Sequence, residues 1–168
     1  MKAGEGDRMK YFIKEYETRY FAGIEFPNGI QPNSDDARKT PDLWNRFFSE
    51  VSDRIDNKIE PNHFIGLEIY PFDFAETGQF DYYALAETET LFKETEGLVT
   101  KRLKKGRYIC FPIRFDDIMN DMQRVYKYIK EQNIKVHMGI DYEDYLVGED
   151  YNKPEAVLNF CLLLEADA

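Results

Sequence analysis

The sequence predicts an α+β fold made of two pseudo-symmetric strand-helix-strand-strand repeats, with antiparallel sheets and helices enclosing a central cleft. Two observations predict it. Gly66-Leu67-Glu68-Ile69-Tyr70 and Asp141-Tyr142-Glu143-Asp144-Tyr145 share a Glu-x-Tyr pattern whose glutamates stand 75 residues apart, and the same shift lays Leu43, Trp44 and Phe47 on Ile118, Met119 and Met122, and Leu85 on Phe160. Each pattern also follows a strongly amphipathic helical segment. Residues two apart in a strand project from one face, so each Glu-x-Tyr sets a carboxylate beside a phenol. Two such surfaces facing each other form an acidic, aromatic cleft.

The elements follow in order. Tyr11 to Phe26 is rich in aromatic and β-branched residues and ends at the turn Pro27-Asn28-Gly29, so it reads as the first strand. A polar loop from Pro27 to Lys39 leads to Thr40-Pro41-Asp42, which offers an N-cap, a Pro at the first helical position and an early acid. Leu43, Trp44, Phe47, Phe48, Val51 and Ile55 then form one helical face. His63 to Tyr70 alternates as a strand, with Glu68 and Tyr70 on one side. In Phe80 to Glu87, residues Phe80, Tyr82, Ala84 and Ala86 share a face opposite Tyr83 and Leu85.

Thr88 to Lys105 carries Lys101, Arg102, Lys104 and Lys105 and reads as a solvated connection between the repeats. Arg107 to Ile113 opens the second repeat as a strand, and Asp116-Asp117 suits the first turn of a helix. Its stripe of Phe115, Ile118, Met119, Met122, Val125, Tyr126 and Ile129 reads as core, with Asn133 as the stop. Asp141 to Leu146 and Ala156 to Glu165 complete the repeat as two strands around a Gly148-to-Pro154 loop. The expected organisation is a flexible segment over residues 1–10 and one domain over 11–168, with repeats at about 11–88 and 105–166.

Composition narrows the function classes. The 168 residues include 12 Tyr, 13 Phe and 1 Trp, and the net charge is −10. That charge repels phosphate backbones and anionic membranes and favours cationic molecules or basic protein patches, so neither direct nucleic-acid binding nor membrane association is expected. Cys110 and Cys161 lie in apolar strand-like runs without CxxC spacing and read as buried, reduced thiols. There is no apolar leader and no run of 18 apolar residues, so the expected compartment is the cytoplasm. No Walker A loop, GxGxxG turn, HExxH helix or GxSxG elbow occurs, and His63 and His137 supply too few ligands for a metal site. Neither metal nor cofactor is expected. Glu143, flanked by Tyr142 and Tyr145, is poorly solvated among rings and must either hold a proton or recruit a cation, to which aromatic faces would add cation–π attraction.

The order of elements, Ala22-Gly23-Ile24 in the first strand, Tyr82-Tyr83 in the fourth element, and Asp141-Tyr142-Glu143-Asp144-Tyr145 before the final strand resemble the GyrI-like family. That family is also met as the effector-binding half of AraC-type and MerR-type multidrug regulators. The resemblance implies a pseudo-twofold fold around a cleft for bulky, often cationic, aromatic compounds, with the family's cleft glutamate falling on Glu143. It implies aromatic cleft counterparts in Tyr145, in Tyr82 or Tyr83, and in Trp44 and Phe111. Glu68 joins them through the internal repeat. With about ten residues ahead of the first strand in this sequence, no helix-turn-helix segment is expected before the module, and the final strand, Leu162-Leu163-Leu164-Glu165, lacks the Pro that family members often carry.

The expected function is therefore a stand-alone binding module that sequesters or senses an amphipathic, cationic aromatic compound. One alternative is a hydrolase of cyclopropane-containing alkylating natural products, with Glu143 activating water and Tyr145 stabilising the departing phenolate. Another is an interaction module that modulates gyrase or a transcription regulator. A homodimer is compatible with each.

Overall fold

The computed structural model describes residues 8–90, 97–145 and 157–166. Among them, eight strands form one antiparallel sheet in the spatial order β1-β6-β8-β7-β3-β4-β2-β5. The strands are β1 Phe12–Tyr16, β2 Arg19–Glu25, β3 Phe64–Ile69, β4 Asp81–Thr88, β5 Val99–Leu103, β6 Gly106–Arg114, β7 Ile140–Tyr145 and β8 Val157–Leu163. The helices are α1 Thr40–Arg46, continued by a π-turn over Phe47–Val51, then α2 Phe74–Thr77 and α3 Ile118–Glu131. No helix among the described residues is long and apolar enough to cross a membrane. Residues 1–7 and the Gly148-to-Pro154 loop lie outside the described residues, whereas Met9 packs against the core.

The two repeats meet where β3 pairs with β7. Gly66 lies opposite Glu143, Leu67 opposite Tyr142, and Glu68 opposite Asp141. Shifting by the 75-residue spacing exchanges the first of these pairs with the last, so a local twofold passes through Leu67 and Tyr142. The two Glu-x-Tyr patterns thus lie side by side on one face of one sheet, rather than facing each other from two. Farther out the alignment drifts. Leu67 is opposite Tyr83 and Tyr142 is opposite Cys161, which makes Tyr83 and Cys161 the equivalent positions. Leu85 and Phe160, matched by the simple shift, point to opposite faces.

Two expected elements are corrected. The run from Tyr11 to Phe26 is two strands broken at Glu17-Thr18, and they pair far apart, β1 with β6 and β2 with β4 and β5. The charged connection contains β5, an edge strand whose one partner is β2. An edge strand keeps much of its surface in water and tolerates Lys and Arg, so it carries little of the apolar alternation that marks an inner strand. At α1 the N-cap is Lys39 rather than Thr40, whose Oγ1 instead donates to the Ala37 carbonyl at 3.1 Å. Asn133 does end the α3 segment, with a left-handed φ of 55°.

The helices cover one face of the sheet, where Trp44, Phe47, Val51, Val125 and Ile129 pack on Phe64, Phe111 and Phe160. Gly23 on β2 permits close approach to β4, since a Cβ would overlap the Ala84 carbonyl. The other face buries Phe21, Ile65, Leu67, Leu85 and Tyr142 because the sheet curls on itself. Arg19 closes that curl. Its Nη2 donates to the Tyr142 hydroxyl at 2.9 Å, and its guanidinium lies 3.6 Å from the centre of the Tyr16 ring on β1.

His63, just before β3, ties the central strands together. Its Nδ1 is 2.8 Å from Glu87 on β4 and its Nε2 is 2.8 Å from Asp144 on β7. Burial alone would depress its pKa, but the two carboxylates overturn that and raise it from 6.5 to about 9. A cation stabilised by folding contributes fully below pH 6.5 and is lost as pH rises through about 9. His63→Gln should cost about 2 to 3 kcal/mol at pH 7, read by urea denaturation. The wild type should also lose stability between pH 6.5 and 9 in a way that the variant does not.

Candidate ligand-binding site

The helical face of the sheet is not filled throughout. A cavity of about 710 Å³ opens between the central strands, the first turns of α3 and the segment that leads into α1. Glu68, Tyr82, Glu143 and Tyr145 form its floor, on β3, β4 and β7. Its walls include Phe80, Phe115, Ile118, Met119, Met122 and Tyr126. The α3 stripe, read from sequence as core, therefore divides: Val125 and Ile129 are buried in the core, while the earlier residues and Tyr126 face the cavity. Met119 is 56% exposed, as a wall residue can be and a core residue cannot.

Gly66 makes room for the floor. It sits on β3 between Tyr82 on β4 and Glu143 on β7, and a Cβ there would come within 2.5 Å of the Tyr82 hydroxyl and 3.1 Å of Glu143 Oε2. Tyr82 is fixed from behind by Trp44, whose Nε1 donates to its hydroxyl at 2.9 Å. Trp44 also packs edge-on against Tyr145, with ring centres 5.0 Å apart. Gly66→Ala should push Tyr82 off this bond and cost about 1 to 3 kcal/mol. Trp44 is the chain's one tryptophan, so its emission should shift in the same variant, and unchanged emission with unchanged stability would contradict this packing.

The floor carries three buried acids. Glu68, Asp141 and Glu143 are 3%, 1% and 4% exposed. The Tyr126 hydroxyl donates to Asp141 Oδ2, but Glu68 Oε2, Asp141 Oδ1 and Glu143 Oε2 have no hydrogen-bond partner among the described residues. Burial is the main cause that raises the pKa of all three. Glu68 moves well above the usual carboxylate range because Glu143 and Asp141 add like charge to that burial. Glu143 rises to about 7, pushed up by burial and by Asp141 while its hydrogen bond with Glu68 pulls down. Tyr70 and Tyr82 are likewise raised, first by burial, and stay neutral donors. The ligand-free cluster thus retains protons that ordinary carboxyls lose.

Of the residues expected at the site, Glu68, Tyr82, Glu143 and Tyr145 converge on the cavity. Trp44 supports the floor from behind. Tyr83 does not belong with them: it lies on the opposite face, its ring 4.4 Å from Lys101 Nζ, because alternation sends it away from Tyr82. Phe111 is buried beneath Tyr11 and Tyr128, away from the cavity. Tyr70 enters through the first Glu-x-Tyr pattern, while Asp141 and Tyr126 were not expected at the site. Asp141 had a signal, standing two residues from a named glutamate on the same strand face. Tyr126 was hidden inside an apolar stripe.

The integron-associated effector-binding protein family matches residues 12–160. The chain belongs to that family. No curated protein matches it. An integron cassette protein from the mobile metagenome of Vibrio cholerae superposes with a TM-score of 0.62 at 19% identity, over 92% of this chain and 95% of that one. SAV2435, solved bound to tetraphenylphosphonium, gives a TM-score of 0.70 at 16% identity, over 94% and 95% of the two chains. The EcmrR C-terminal domain gives 0.65 at 13% identity, over 95% and 99%. At these identities the likeness is one of fold. Family membership and an aromatic, acidic cavity make this chain a small-molecule-binding module of the effector-binding type.

Proposed function

We propose that the cavity captures a bulky, amphipathic organic cation with aromatic groups, in sequestration or in ligand sensing. The observation that carries this reading is the buried acid cluster: Glu68 and Glu143 line an aromatic cavity, and no Lys or Arg among the described residues pairs with them or with Asp141. A buried carboxylate without a cation holds protons at a cost, and an incoming cation relieves it while rings stack against the ligand body. A cavity of 710 Å³ falls in the range of drug-sized sites. The tetraphenylphosphonium bound by SAV2435 is a ligand of this class on the same fold.

The test is calorimetric titration with tetraphenylphosphonium. Wild type should bind, and Glu143→Gln should lose about 2 to 4 kcal/mol, since a buried ligand charge would be left unpaired. Affinity should rise with pH through about 7, as Glu143 ionises, and be flatter in the variant. Asp141, Glu68, Tyr70, Tyr82 and Tyr126 face the same cluster and broaden that transition. The ligand-free fold has the opposite dependence. Its Glu143 pKa is raised above 4.5, so between pH 4.5 and about 7 the folded state holds more protons than the unfolded one, and stability falls as pH rises. Equal binding by Glu143→Gln would refute the reading. A carboxyl held near 7 also suits a general base, so each bound compound should be recovered and weighed: an intact compound fits a binding site, and a hydrated product an active site.

A further inference from the structure

Tetraphenylphosphonium carries charge with no hydrogen to donate, whereas the floor of this cavity is rich in acceptors. Glu68 Oε2 and Glu143 Oε2 belong to residues that line it, and Asp141 Oδ1 lies in the same cluster. All three residues are more than nine-tenths buried, and none of these oxygens meets a donor among the described residues. Glu68 lies within hydrogen-bonding reach of both Asp141 and Glu143, so in the ligand-free state a proton held between carboxyls is what can satisfy them. Of the nearby hydroxyls, that of Tyr126 already donates to Asp141 Oδ2, and that of Tyr82 accepts from Trp44.

We infer that the cavity selects organic cations bearing N–H donors, protonated amines on an aromatic body, over quaternary cations of the same skeleton. This rests on the reading of the cavity as a cation site and specifies the chemistry of its ligand. A quaternary centre supplies the counter-charge but leaves the buried oxygens without hydrogen bonds. A primary ammonium supplies the charge and three donors, enough to bridge Glu68 and Glu143 with charge-assisted bonds. Two effects oppose the preference. An ammonium is more strongly hydrated than its trimethylated form, and each added methyl would gain from burial among Phe80, Phe115 and Met122. Acceptors already stripped of water outweigh both, because leaving them unmet inside the protein is the larger cost.

The opposing effects make a methylation series diagnostic. The probes are 3,3-diphenylpropylammonium and its N-methyl, N,N-dimethyl and N,N,N-trimethyl homologues, titrated calorimetrically into the wild-type protein at pH 8, with tetraphenylphosphonium alongside. Apolar burial alone makes affinity rise with each methyl. N–H selection makes it fall, at least tenfold from the primary to the quaternary compound, which is about 1.4 kcal/mol. Glu68→Gln, which removes one charged acceptor, should narrow that ratio. Equal or tighter binding of the quaternary homologue, or binding of tetraphenylphosphonium alone, overturns the selection and leaves the cation reading standing. Failure of all five compounds to bind overturns both.

Discussion

The pairing of β3 with β7 is the constraint on which the rest depends. It is the one ladder that joins the two repeats directly through their inner strands, and its register decides which side chains share a face. With Leu67 opposite Tyr142, the residues on either side of that pair place Gly66, Glu68, Asp141 and Glu143 together on the helical face. A slip of one residue along β7 would send Asp141 and Glu143 into the curled side of the sheet, with Phe21, Ile65 and Leu85, and away from the cavity under the helices. His63, gripping Glu87 and Asp144 across β3, holds the same junction from the other face.

This arrangement sets binding against stability. A domain's net stability is only about 5 to 15 kcal/mol, and burying unpaired carboxyls uses part of it. The fold offsets that cost with features that surround the acids without neutralising them. The Trp44-to-Tyr82 bond, the edge-on packing of Trp44 against Tyr145 and the missing side chain of Gly66 together fix a rigid floor. The one buried Arg or Lys among the described residues, Arg19 on β2, is spent on Tyr16 and Tyr142 on the opposite side. Sheet alternation thus puts a buried positive group and a buried negative cluster on opposite faces of the sheet.

Much of this was legible in the sequence, and the failures have physical causes. The inner strands β3, β4 and β7 were readable because their two buried faces differ, one packed inside the curl of the sheet and the other turned to the helices and the cavity, which keeps a period of two. The same alternation could have removed Tyr83 from the site once Tyr82 was placed there. β5 was not readable, since an edge strand is under weak pressure to alternate. The division of Tyr11 to Phe26 was hidden because β-propensity reports extended backbone and is silent on which strand becomes the neighbour. An apolar helical stripe likewise reports exclusion from water, not whether the space beyond is protein or an open cavity. For that reason Met119, Met122 and Tyr126 were read as core. The acids were visible as a pattern, but their mutual contact came from the β3–β7 register, which pairs residues far apart in the chain.

The strands that precede the repeats are exchanged between them. β1, ahead of the strand-helix-strand-strand unit that β2 opens, pairs with β6 of the second unit, and β5, ahead of that second unit, pairs with β2 of the first. Neither half contains its own outer edge, so a half-length fragment would have to borrow one, and two identical halves could do so only by dimerising. In such a dimer the twofold would be exact and the positions of Gly66 and Asp141 would have to carry the same residue. Two glycines would leave the cluster one acid short, and two aspartates would put a side chain into the space that Tyr82 and Glu143 occupy. A continuous chain escapes that restriction and can hold an odd number of acids on an even axis.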